Sequence, residues 1–254
     1  MNSNFAYCQV SISPLRKSPS DTSEMVSQLL FGEIVNVTDR QNNWIFIQSK
    51  QDQYEGWIDE KQIIYLTEKD AFDWLNQQII TTKNTLISGP HGKQSIPQGS
   101  YISKKSPITF TIGNQNYTST YKPKDITLIS FAKTYLNTPY LWGGKSNAGI
   151  DCSGFSQIVY RSQGIELPRD ASQQEHLGNP INRKQAKAGD LAFFTNDAGK
   201  VIHVGILLSK SKIIHASGRV KIDKIDDTGI WSEELNKYSH NLYLIKRFLY
   251  TKDF

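Results

Sequence analysis

Alternation with a period of two dominates the first 65 residues. Glu33-Ile-Val-Asn-Val-Thr38 and Trp44-Ile-Phe-Ile-Gln48 are rich in β-branched and aromatic residues, and Asp39-Arg-Gln-Asn-Asn43 between them is a turn signal. Tyr54-Glu-Gly-Trp-Ile58 supplies another short strand, and Phe5 to Ile12 is β-like. Short strands with no helix between them predict a small barrel. Thr67-Glu-Lys-Asp70 then opens a predicted helix, with Ala71, Phe72, Trp74, Leu75 and Ile79 at roughly helical spacing. Strands are predicted again at Thr85–Ser88, Ser100–Ser103 and Pro107–Ile112, with turns at Ser88–Gly92 and Gly113-Asn114. No Gly/Ser-rich or Pro-rich linker separates these parts.

The pattern changes near Lys122. Asp125 is placed to cap a helix carrying Ile126, Ile129, Ala132, Tyr135 and Leu136, and Pro139 ends it. Phe155, Ile158, Val159 and Ser162 recur at helical spacing, with Gly164 as a C′ residue, so a helix starts at or near Cys152. Asp170 caps a further short helix running to His176. Gly189–Phe194, Val201–Leu208, Lys212–Ala216 and Asn241–Leu249 are predicted strands of one antiparallel sheet. Helices followed by a sheet make an α+β arrangement. The predicted boundaries are 1–66, 67–122 and 123–254.

Composition narrows the class. With 254 residues, 38% apolar and 11% aromatic, the chain is globular in composition. The 29 basic and 24 acidic residues give a mild net charge of +5. Basic clusters such as Lys104-Lys105 and Arg183-Lys184 are short and lack interleaved aromatics, so they predict solvated surface and no nucleic-acid partner. No apolar run approaches the length of about 20 residues that a spanning helix needs, and no membrane partner is expected. The first ten residues have neither a basic n-region nor an apolar h-region. A cytoplasmic location is the default, and a periplasmic or secreted one follows if a leader has been removed.

Of the two cysteines, Cys8 lies in the β-like run, where a small buried residue is expected. Cys152 stands at a helix start, where unpaired N–H groups and the helix dipole favour the thiolate and predict a lowered thiol pKa. Gly154, two residues on, lets a substrate or a neighbouring backbone approach closely. A hairpin turning at Ser209–Ser211 places His203 and His215 nearly opposite each other, with Cβ atoms roughly 5 Å apart. Cys152, His203 and His215 then form a set of nucleophile, base and orienting ring. The Cys152 N–H is a natural oxyanion donor and Tyr140 a second. A Cys-His-His metal site is the competing arrangement, although no fourth ligand stands at a short metal-like spacing. His91, His176 and His240 are expected to be ordinary surface residues.

Asp151-Cys-Ser-Gly-Phe155, His203-Val-Gly-Ile206 and His215-Ala-Ser-Gly218, in that order, resemble the NlpC family of papain-like cysteine peptidases. The resemblance covers residues 122–254. The preceding β segments resemble bacterial SH3-like domains. This implies two small SH3-like barrels, 1–66 and 67–122 with its linker helix, ahead of a papain-like catalytic domain at 123–254. Taken whole, the chain is similar to γ-D-glutamyl-L-diamino-acid endopeptidases of cell-wall recycling, and a monomer with neither cofactor nor metal is expected.

The resemblance implies hydrolysis of the bond between γ-D-Glu and a diamino acid in murein stem peptides that carry a free N-terminal L-Ala. It assigns Glu24, Tyr54 and Asp170 to the substrate ammonium. It assigns Tyr140, Trp142, Asp151 and Ser153 to the pocket beside the nucleophile. Ala171 departs from the serine that relatives often carry, and Ser172 is its nearest substitute. A wall-peptide binding module with weak or altered amidase or acyltransferase activity is the alternative, and the intact Cys-His-His set argues against it.

Overall fold

The computed structural model describes residues 4–248, which leaves the expected strand residue Leu249 outside the described residues. The chain divides into two compact units, Met1–Asp125 and Ile126–Phe254. Among the described residues, no helix is long and apolar enough to cross a membrane.

The first unit begins with seven strands: β1 (Phe5–Cys8), β2 (Ile12–Arg16), β3 (Met25–Leu30), β4 (Ile34–Gln41), β5 (Trp44–Ser49), β6 (Glu55–Asp59) and β7 (Ile63–Leu66). They pair in the order β3-β2-β6-β5-β4-β1-β7. Alternation decides which side chains enter: Ile45 and Ile47 of β5 are buried, and they join Ala6, Cys8, Leu15, Val35 and Ile58 in one core. Cys8 is fully buried, as its strand position predicts, with its thiol directed to the Val10 and Leu29 carbonyls.

Helix α1 (Glu68–Gln77) is capped by Thr67, whose side chain accepts the Asp70 N–H. It ends earlier than the apolar spacing predicts. Ile79 lies instead in β8 (Gln78–Ile80), because the β-branched run Ile79-Ile-Thr-Thr82 favours extended backbone and finds a partner in β11 (Tyr101–Ser103). Between them lie β9 (Thr85–Gly89) and β10 (Gly92–Ile96), followed by β12 (Thr109–Ile112) and β13 (Gln115–Ser119) in a four-stranded sheet. This second β segment shares a core with the first. Trp74 donates its indole N–H to the Gly32 carbonyl at 2.8 Å, and the Tyr7 and Tyr117 hydroxyls meet at 2.7 Å.

The second unit opens with α2 (Leu128–Lys133). Its cap is Thr127, whose Oγ1 accepts the Ser130 N–H at 3.2 Å, and not Asp125, which lies two residues too early to reach the first turn. A short pair, β14 (Lys145–Ser146) and β15 (Gly149–Ile150), leads into α3 (Cys152–Arg161), whose ten residues are all buried. Helix α4 (Ala171–Gln174) follows Asp170, and β16 (Asn179–Pro180) precedes the main strands. These are β17 (Leu191–Thr195), β18 (Val201–Ser209), β19 (Lys212–Ser217), β20 (Arg219–Ile225), β21 (Gly229–Ser232) and β22 (Lys237–Arg247). Each pairs antiparallel with the next, and β17 also pairs with β22. The added β21–β22 pairing closes six of the strands into a barrel. Ala192, Phe194, Leu207, Ile213, Ile225, Ile230 and Ile245 form its core.

Candidate active site

Asp151 determines where α3 begins. It is extended (φ −94°, ψ 178°), and its Oδ1 accepts the Gly154 N–H at 2.7 Å. Its Oδ2 accepts the Gly143 N–H at 2.8 Å. Arg169 then closes on both oxygens as a fork, Nη1 to Oδ1 at 3.0 Å and Nη2 to Oδ2 at 2.5 Å, and also donates to Ser153 Oγ at 2.9 Å. Asp151 and Ser153 are therefore engaged by protein partners, which hold the start of the nucleophile's helix. The sequence pattern does not mark Arg169. Its one signal is adjacency to Asp170, which does not say that the side chain is buried. Gly154 serves a neighbouring backbone: a Cβ there would run into the Gly144 carbonyl oxygen.

Cys152 is 8% exposed. The N–H groups of Val204 and Ser153 point to its sulfur, so the thiol sits against β18 beside the residue that follows His203. Tyr140 lies near the same sulfur. Burial and the negative charge of a Cys152 thiolate and of Asp151 push its phenol up to about 12. Its backbone N–H donates to the Gly218 carbonyl at 2.9 Å.

The β18–β19 hairpin brings the two predicted histidines together. Its register, Leu207 with Ile213 and Ile206 with Ile214, sets Gly205 against His215, and His203 reaches the same ring diagonally. Gly205 makes room for this, since a Cβ there would lie 2.9 Å from the Cβ of His215. His203 Nε2 is 2.8 Å from His215 Nδ1, and both rings are buried.

Two residues extend the group beyond the sequence expectation. His215 Nε2 meets Asp223 Oδ2 at 3.1 Å. His240 is not an ordinary surface residue. It is half-buried on β22 opposite Ile230, and its ring stacks on His203 with centroids 4.1 Å apart and planes 25° apart. Closure of the barrel brings it there, and no local pattern announces that pairing. Asp223 had a faint signal in the alternation Val220, Ile222 along β20.

The ligand nitrogens of His203, His215 and His240 lie within 4.8 Å of one another. A single ion must lie near the plane of every imidazole it binds. Stacked rings direct their lone pairs side by side, and the third ring is already hydrogen-bonded within the group. The arrangement suits proton handling better than convergent ligation.

Burial reverses the expected charge state. A helix start alone predicts a lowered thiol pKa. In the folded chain, burial and the Asp151 carboxylate push the Cys152 thiol up to about 12, against the opposing pull of the Val204 N–H, Arg169 and the Ser153 N–H. Burial, then His240 and His215, hold His203 well below its ordinary value. The resting pair is thus neutral thiol and neutral imidazole. A lowered base pKa moves protonation to lower pH, so the acid limb of kcat/KM is expected below pH 6.5. Alkylation of the free enzyme by iodoacetamide should be slow at neutral pH and accelerate only on the alkaline side. A rate that already levels off near pH 7 would show a preformed thiolate.

Of the remaining predicted residues, Glu24 and Tyr54 belong to the first unit. Glu24 is exposed and 3.4 Å from the Lys17 ammonium, and Tyr54 is half-buried against the core of the β1–β7 sheet. Trp142 is 62% exposed, and Asp170 is half-buried at the start of α4, its N–H donating to Gln173 Oε1 at 3.3 Å. Ala171 is buried and Ser172 half-buried.

A buried thiol at a helix start, set against a strand that carries an imidazole bonded to a second imidazole, defines a cysteine hydrolase. Residues 137–240 match the NlpC/P60 family, and residues 15–63 match the bacterial dipeptidyl-peptidase SH3 domain. The chain is 30% identical over 218 residues to the gamma-D-glutamyl-L-lysine dipeptidyl-peptidase of Bacillus subtilis, covering 75% of this chain and 71% of that protein. It is 28% identical over 232 residues to the Bacillus cereus protein of the same description, covering 78% and 68%. A crystal structure of an NlpC/P60 family protein from Bacillus cereus superposes with a TM-score of 0.77 at 22% identity, over 96% of this chain and 99% of that one. The chain belongs to the NlpC/P60 family and is a cysteine peptidase with a bacterial SH3-type domain.

Proposed function

We propose that the enzyme hydrolyses the amide between γ-D-Glu and the diamino acid of murein stem peptides, releasing L-Ala-γ-D-Glu. One observation carries this reading: a dipeptidyl-peptidase SH3-type segment and a Cys–His–His catalytic domain occur in one chain, over most of which it is similar to two Bacillus proteins described as gamma-D-glutamyl-L-lysine dipeptidyl-peptidases. Cys152 Sγ attacks the γ-carbonyl carbon as His203 takes the thiol proton. The Cys152 N–H, which has no intrahelical acceptor at the first position of α3, and the Tyr140 hydroxyl meet the oxyanion. The imidazolium then returns its proton to the departing amine, and water, deprotonated by His203, releases the dipeptide and the thiol.

The requirement for a free amine, with Glu24, Tyr54 and Asp170 as its ligands, follows from the resemblance of their motifs. So does the reading of residues 67–122 as a second SH3-like barrel. A carboxylate that a bound substrate covers without bringing a cation to it costs about 1–3 kcal/mol. N-acetylation of L-Ala-γ-D-Glu-L-Lys should therefore lower kcat/KM by about 10–100-fold. Mass spectrometry of the products from free and acetylated L-Lys and meso-diaminopimelate tripeptides checks this. Equal hydrolysis of the two forms would remove the amine requirement, and failure to release L-Ala-γ-D-Glu from any of them would remove the proposed bond.

A further inference from the structure

We propose that Asp223 is a positioning residue that sets the tautomers of both histidines and so makes Nδ1 of His203 the nitrogen that receives the Cys152 proton. The inference rests on the peptidase reading and adds the proton inventory of its base.

A chain of hydrogen bonds fixes where each hydrogen sits. An ionised carboxylate can only accept, so His215 Nε2, 3.1 Å from Asp223 Oδ2, carries a hydrogen. Neutral His215 then has only Nδ1 as an acceptor. That nitrogen is 2.8 Å from His203 Nε2, so His203 Nε2 must donate. Neutral His203 is left with one basic nitrogen, Nδ1. When it takes the proton from Cys152 Sγ, the resulting cation donates through Nε2 to His215, which is polarised in turn by Asp223.

The strand register explains why a carboxylate is needed here. Lys221 stands directly opposite His215 in the β19–β20 ladder, and Asp223 stands two positions on, on the same face. Lys221 Nζ lies 3.3 Å from Asp223 Oδ2 and 3.1 Å from Glu234 Oε2, and Arg219 also donates to Glu234 at 2.6 Å. Asp223 thus screens the relay from the Lys221 cation as well as accepting from it. Burial pulls its carboxyl upward, but His215 and Lys221 outweigh this and hold it below the ordinary carboxylate range. The titratable groups around His215 are Asp223 and Lys221 from β20, His203 from β18 and His240 from β22.

Nitrogen-15 spectra of the histidine-labelled full chain, assigned with single-histidine variants, read the tautomers without any substrate. The wild-type enzyme at pH 8 is expected to carry its hydrogen on Nε2 in both His203 and His215. In Asp223→Asn the amide can donate to His215, so the pattern becomes mixed or reversed. Its kcat should fall about 10–100-fold with KM little changed, and Asp223→Glu should restore the tautomers and part of the rate. A wild-type His203 protonated on Nδ1 would overturn the proposal. So would an Asn variant with wild-type tautomers and wild-type kcat. Failure of the wild-type enzyme to cleave any stem peptide would count against the substrate reading and leave the tautomer result standing.

Discussion

Replacing Cys152 by alanine should lower kcat/KM on a stem tripeptide by at least about 10⁴-fold, more than 5 kcal/mol of transition-state stabilisation. The loss is large because alanine removes the atom that attacks the carbonyl. With thiol and imidazole both neutral, the nucleophile exists only at the moment its proton passes to His203. No other group described at the start of α3 can take its place. Serine at position 152 should be nearly as inactive, because its hydroxyl holds its proton more tightly than a thiol does. Alanine removes and serine exchanges a single heavy atom at position 152, so both variants should still fold. Product release measured by mass spectrometry beside a thermal melt separates the two effects, and wild-type turnover by the alanine variant would remove the sulfur from the chemistry.

The second large effect is expected at a residue with no part in bond making. Arg169→Met should destabilise the catalytic unit by about 3–5 kcal/mol, read from urea denaturation. The Arg169 and Asp151 side chains are only 2% and 6% exposed, so losing the guanidinium leaves a carboxylate buried against two backbone N–H groups. Combining Arg169→Met with Asp151→Asn should cost less than Arg169→Met alone, since the double variant holds no uncompensated charge. Additive losses would show that the two side chains act separately.

What could be read from the sequence was local. Trp44 to Gln48 alternates, and Ile45 and Ile47 do face the core. Cys152 begins a helix because the residue before it is a capping aspartate. His203 and His215 meet because one short turn separates their strands. What could not be read depends on segments distant in the chain. His240 reaches His203 through the β21–β22 closure, Asp223 reaches His215 from a strand whose charges mask its alternation, and Arg169, which follows α3 in the chain, reaches back to Asp151 at its start. The thiol pKa fails for the same reason: a position in a helix is written nearby, whereas burial comes from the rest of the unit. Smaller departures, Thr127 in place of Asp125 as a cap and Ile79 in a strand, are competitions between neighbouring signals that local pairing decided.

The closed sheet also bears on how the enzyme is made. Strand β22 pairs with β16, β17 and β21, and it carries the ring stacked on His203. While translation has not yet delivered residues 237–247, β17 has a bare edge and the general base lacks one wall of its slot. On the ribosome the general base is accordingly complete only after β22 has been synthesised and paired.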